Sequence, residues 1–169
     1  MDGKEKRESL FIWHLVVIVI HALTALACLA LLVMAGVTCL DIFFRLVGWP
    51  QKGAYDVVRI TGALAIACAL PLTTALKGHV AIEYFFHRMN RLWRAAVDAV
   101  MRLLMIAGFL TAAFGCYRYG VRLLTSGDVS PTLEIPLFWV PWVIALALSV
   151  TALTVLFHLV HPAKELMKQ

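Results

Sequence analysis

Lys77-Gly78-His79-Val80-Ala81-Ile82-Glu83-Tyr84-Phe85-Phe86-His87-Arg88 interrupts a chain that is otherwise largely apolar. The run from Ile60 to Leu76 before it carries no charge and ends abruptly at Lys77. Beyond the Gly78-His79 hinge, Ile82, Phe85, Phe86, Met89, Leu92 and Trp93 recur at helical spacing, with Glu83, His87, Arg88, Arg91 and Arg94 between them. That periodicity predicts an amphipathic helix over about 79–93 that lies in a membrane interface. Ile82, Phe85, Phe86, Met89 and Trp93 would anchor it in the inner leaflet, and Arg88, Arg91 and Arg94 would meet lipid phosphates. The plainer alternative is a solvated loop with scattered apolar residues. Positive charge beside a span marks the cytosolic side, so this stretch orients everything around it.

The totals agree with a membrane setting. Apolar residues make up 62% of the chain and charged residues 15%, where a soluble domain carries about 25% charged. The chain therefore reads as one integral membrane domain over residues 1–169, with no separate soluble part. The net charge of +5 belongs at cytosolic edges and does not indicate a nucleic acid partner. Cys28, Cys39, Cys68 and Cys116 lie in or beside apolar runs without metal-ligand spacing, as small packing residues do. Lys4, Lys6 and Arg7 precede an apolar run, and Ala25-Leu26-Ala27-Cys28 loosely resembles a lipoprotein cleavage site. The run continues to Leu40, far beyond a signal peptide's apolar core, so an uncleaved first membrane helix is expected.

Taken in order, the chain predicts an all-α protein with four transmembrane helices, over about 12–40, 55–76, 95–122 and 135–160, plus the interfacial helix between the second and third. Asp41 and Arg45, four apart, can pair as the first helix leaves the membrane. Gly48-Trp49-Pro50 breaks the helix. Asp56 and Arg59 open the second helix at a spacing that permits a pair, and Pro71 is expected to kink it. The third span is the least obvious. Its charge-free part, between Arg102 and Arg118, covers about 24 Å of a roughly 30 Å core, and the arginines can snorkel to close the gap. Residues Thr125 to Pro131 form a turn-rich loop. Pro136 and Pro141 are expected in the first turns of the fourth helix, with Trp139 and Trp142 as an aromatic belt.

The Lys and Arg distribution sets the topology. Lys4, Lys6, Arg7, Lys77, Arg88, Arg91, Arg94, Lys164 and Lys168 outnumber Arg45, Lys52, Arg59, Arg118 and Arg122. Both termini are therefore expected in the cytosol, with the chain multi-pass and the loops around Trp49–Tyr55 and Thr125–Glu134 facing the outside or the periplasm.

Chemistry is sparse. The first and fourth spans contain no Asp, Glu, Lys or Arg, and the second and third keep theirs near the ends. No catalytic set, metal motif or phosphate loop occurs, so the chain does not read as an enzyme. A carrier usually keeps ionisable groups or broken helices at the midplane, which argues that transport chemistry belongs to a partner chain. One rival is a haem held in the bundle by His21 and His158, with His14 on the face of His21, as in a membrane anchor subunit of a respiratory complex.

Three groups of residues carry a family likeness. Arg45 is followed by the Trp49-Pro50 turn and by Tyr55-Asp56-Val57-Val58-Arg59. His79-Val80-Ala81-Ile82-Glu83 follows the second helix. Ser130-Pro131-Thr132-Leu133-Glu134-Ile135-Pro136, with Pro141, leads into the last. In order and spacing these resemble the small membrane subunit (DctQ family) of tripartite ATP-independent periplasmic transporters, or TRAP transporters, from about Asp41 to Leu148. Asp56 and Arg59 depart from the pattern, standing where the family more often has one or two glutamates.

The resemblance implies a small permease subunit without cofactor or catalytic role. Its partners would be the large membrane subunit, a periplasmic substrate-binding protein and membrane lipids. It would brace the large subunit during sodium-coupled, binding-protein-dependent uptake of an organic acid. Arg45, Lys52, Asp128 and Glu134 are then candidates for contact with the binding protein; the alternative for each is an ordinary solvated charge.

Overall fold

The computed structural model describes residues 3–49, 52–76 and 91–160, with the backbone alone for 3–14, 91–96, 98 and 158–160. Among these residues the fold is helical: α1 (Gly3–Leu46), α2 (Ala54–Ala75), α3 (Arg91–Ser126) and α4 (Trp139–Val160). Each holds a stretch long and apolar enough to cross a bilayer, namely Leu15–Leu46, Ala54–Ala75, Ala99–Ser126 and Trp139–Phe157. Even the shortest, at 19 residues, reaches close to the ~30 Å of a hydrocarbon core at ~1.5 Å per residue. The expected interfacial helix falls largely on residues 77–90, outside the described residues; Arg91 to Trp93 belong to α3.

Helix limits differ from the sequence reading where local chemistry outweighs hydropathy. α1 runs past Leu40 because the Arg45 Nε donates to Asp41 Oδ2 at 2.8 Å, so both charges stay on the helix as a pair. α2 continues through Pro71, which is fully buried. α3 reaches Ser126 and stops at Gly127, whose φ of +69° suits a left-handed helix terminus. α4 begins only at Trp139. Pro136 lies outside it, in an isolated antiparallel bridge with Val129, whereas Pro141 occupies the first turn, where a missing N–H costs nothing.

The core lies between α1, α2 and α4. Leu23 and Ala27 of α1 meet Ala67 and Cys68 of α2 and Ala147 of α4. Ala30, Leu64, Ala65 and Val140 form the next layer toward the α1–α2 turn. Val16, Ile20 and Ala75 form the layer at the other end. Small residues dominate because lipid tails are as apolar as leucine. Helices in a membrane gain by close backbone approach and dispersion, not by escape from water. Thr151 and Thr154 are fully buried on α4 with their hydroxyls satisfied, donating to the carbonyls of Ala147 and Val150 at 2.8 and 2.9 Å.

α3 packs against α4. Near the loop end Gly120 faces Trp142: a Cβ there would lie 2.4 Å from the indole Cδ1 and Nε1 and 3.1 Å from the Phe138 carbonyl oxygen. Phe138 and Trp142 meet edge to face at 5.4 Å. Trp139 is exposed at the helix start, whereas Trp142 is half-buried. It wedges into the α3–α4 seam because α3 offers a glycine at that level.

Candidate functional site

The α1–α2 turn and the α3–α4 loop lie at one end of the bundle, and a single carboxylate joins them. Asp56, in the first turn of α2, is 2% exposed. A buried carboxylate must find donors. Its Oδ2 accepts from the hydroxyls of Ser130 and Thr132, from the Thr132 N–H at 2.9 Å and from the Leu133 N–H at 3.3 Å. All four donors come from the loop after α3. Ser130 is as buried as Asp56, at 1%.

The loop closes on itself as well. The Ser130 N–H donates to the Ile135 carbonyl at 2.9 Å, and the Glu134 N–H donates to the Ser130 carbonyl at 3.1 Å. Glu134 sits at φ +52°, a left-handed conformation that costs a non-glycine residue roughly 1–2 kcal/mol. The surrounding bonds hold it there. Leu133 lies directly over Gly53, the residue before α2: a Cβ on Gly53 would lie 2.6 Å from Leu133 Cδ2, and φ there is +104°. Glycine is required on both counts. The loop is thus fixed to α2 by a polar clamp and by one leucine seated on bare backbone.

This clamp corrects the pairing expected from the sequence. Asp56 does not pair with Arg59, which is exposed. Spacing three apart permits that pair, but the arginine would have to follow the carboxylate into a buried site already filled by loop donors. The sequence reading gave Asp56 no partner beyond its own helix. The signal it could have used is Ser130 and Thr132 flanking Pro131: two hydroxyls in a turn, opposite an acid at a helix start.

The four residues considered for docking all belong to this end. Arg45 is exposed and paired with Asp41; Asp128 accepts from the Ser126 hydroxyl at 2.7 Å. Lys52 and Glu134 are exposed beside Gly53 and Leu133. Leu133, Ile135 and Pro136 form the loop just described, and Pro141 is buried in α4's first turn. Of the other residues singled out, Ile82, Phe85, Phe86, Met89, Arg88, His79 and Glu83 lie outside the described residues, while Trp93, Arg91 and Arg94 fall in the first turns of α3. The haem alternative finds no support: His21 is exposed, and its Nδ1 bonds the Val17 carbonyl one turn back at 2.8 Å.

The arrangement is a structural clamp that unites two loops into one face carrying both signs of charge. Residues 34–165 match the family model described as tripartite ATP-independent periplasmic transporters, DctQ component. No curated protein and no solved structure matches the chain.

Proposed function

The chain belongs to the DctQ family, the small membrane component of tripartite ATP-independent periplasmic transporters, and from that premise we propose that it is the non-catalytic brace of a large membrane subunit in the bacterial inner membrane. The large subunit carries an organic acid with sodium, and a periplasmic binding protein delivers it. Both termini of the chain lie in the cytosol, so the clamped two-loop end faces the periplasm and offers Arg45, Lys52, Asp128 and Glu134 to the binding protein. At the opposite end, Ile82, Phe85, Phe86, Met89 and Trp93, with Arg88, Arg91 and Arg94, anchor the cytosolic edge in lipid.

The observation that carries this reading is the Asp56 clamp. A docking surface gains affinity when its loops are ordered before the partner arrives. Here two loops far apart in sequence are fastened to one helix. The absence of Asp, Glu, Lys and Arg from the apolar spans of α1 between Leu15 and Leu40 and of α4 supports a brace rather than a carrier.

Reconstitution tests it. Vesicles with the large subunit, this chain and the binding protein are expected to take up solute only under an inward sodium gradient, and uptake is expected to fail when this chain is left out. Uptake without it, or transport by this chain alone, overturns the proposal. The paired substitution Arg45→Glu and Lys52→Glu is expected to slow uptake at low ionic strength, with a smaller difference at high salt. Uptake unchanged across salt removes those two from docking.

A further inference from the structure

Between α1 and α2, just below their connecting turn, lies an open-sided slot of about 240 Å³. Its walls are Val37, Leu40 and Phe44 of α1, Val57 of α2 and Leu133 of the clamped loop, with Lys52 at the α2 end. It has a structural origin. From Ile20 and Ala75 up to Ala30 and Leu64 the two helices interlock through small residues. Above that level Gly62 meets Met34, and α1 then presents Val37, Leu40 and Phe44, none of which is buried.

We propose that this slot binds a phospholipid, one acyl chain lying against the apolar walls and the phosphate meeting Lys52 and the first turn of α2. The two halves of the slot match the two halves of that ligand. An aliphatic cavity of about 150 Å³ accepts benzene, so this one holds several methylenes of a chain. Its five apolar walls give a small hydrophilic acid nothing to bind. At the other end Gly53 supplies no side-chain cap, which leaves first-turn N–H groups of α2 and the positive end of its dipole beside an exposed lysine. Two acids lie near this end, Asp56 and Glu134, but neither lines the slot, and Asp56 turns its Oδ2 to the loop donors.

This inference rests on the chain's own residues and not on the transport reading. The test is native mass spectrometry of the full chain, extracted in mild detergent with whatever membrane partners it retains, together with thermal unfolding on addition of phosphatidylethanolamine–phosphatidylglycerol mixed micelles. One phospholipid is expected to stay bound, and added lipid is expected to raise the melting temperature. Val37→Trp, which fills the slot, is expected to abolish retention. Lys52→Glu is expected to weaken it by about fivefold, the worth of one lysine at a charged headgroup, while Lys52→Arg keeps it. If Val37→Trp does not fold, the exposed Lys52→Glu variant decides. Retention unchanged in Lys52→Glu overturns the proposal, and so does equal protection by inorganic phosphate alone, which would mean an ion site with no part for the acyl chain.

Discussion

α3 and α4 lie side by side and are both apolar enough to span a bilayer, yet 56% of the α4 span is buried within the protein against 6% of the α3 span. What separates them is which residues can come close to a neighbour. α4 brings Ala145, Ala147, Thr151, Ala152 and Thr154 inward, all small and all buried. α3 turns Leu103, Leu104, Leu110, Phe114 and Tyr117 outward and, among its described side chains, buries only Ala113, Gly120 and Leu123. In water, leucines left outside would be a defect; in lipid they are at home. α4 is therefore the pillar of this chain. α3 hangs on it by the Gly120–Trp142 seam, and the loop joining the two is fastened to α2 by Asp56.

The most severe way to break that arrangement is to remove the fastening. In Asp56→Ala, the Ser130 and Thr132 hydroxyls and two backbone N–H groups lose their acceptor together. The loop between α3 and α4 is expected to open locally while the α1–α2–α4 core persists. A protease added on the loop side should cut within residues 127–138 at least about tenfold faster than in the wild type, since cleavage follows the open population. Asp56→Asn, which keeps the shape and one acceptor oxygen, should fall between. Unchanged cleavage in the alanine variant would mean the loop is ordered by something other than the carboxylate.

A smaller effect is expected at the seam, where two glycines of α3 make a matched pair. Gly120→Ala drives a methyl into the Trp142 ring and toward a backbone oxygen that cannot move aside. It should destabilise the α3–α4 contact by about 1–3 kcal/mol. Gly115 has nothing within 4 Å of a new Cβ, so Gly115→Ala should instead stabilise the helix by up to about 1 kcal/mol. Denaturation of both variants in bicelles measures the two signs. The same sign for both would show that the seam does not control α3.

The existence of four spans was legible because apolar length is a property of composition, and the Asp41–Arg45 pair was legible because it is local to one helix. The same locality misled at Asp56. Spacing favoured Arg59, whereas the real partners lie 74 to 77 residues away in sequence. The packing of Trp142 was not readable for a related reason: its contact with Gly120 lies on another helix, which spacing within one helix cannot reveal. Helix burial order was not readable at all, because hydropathy scores leucine alike whether it faces lipid or protein. The start of α4 was blurred because Ile135 and Leu137 extend the apolar pattern, while Pro136 is bridged to Val129 in the loop.

The smallest expected effect is the most informative about partners. Leu104 on α3 is 62% exposed. A buried leucine cut back to alanine costs about 2–5 kcal/mol in a water-soluble core. In Leu104→Ala, lipid tails fill the vacated space, and the chain alone should change by no more than about 0.5 kcal/mol. A loss well above that in the isolated chain would show that the bare face of α3 packs within this protein, against the contrast with α4. The same variant can then be measured with the large subunit present. If it destabilises only the assembled pair, the leucine side of α3 is where the partner sits; if it is neutral there too, that side faces lipid in both states, and the brace must grip through α1 or α2.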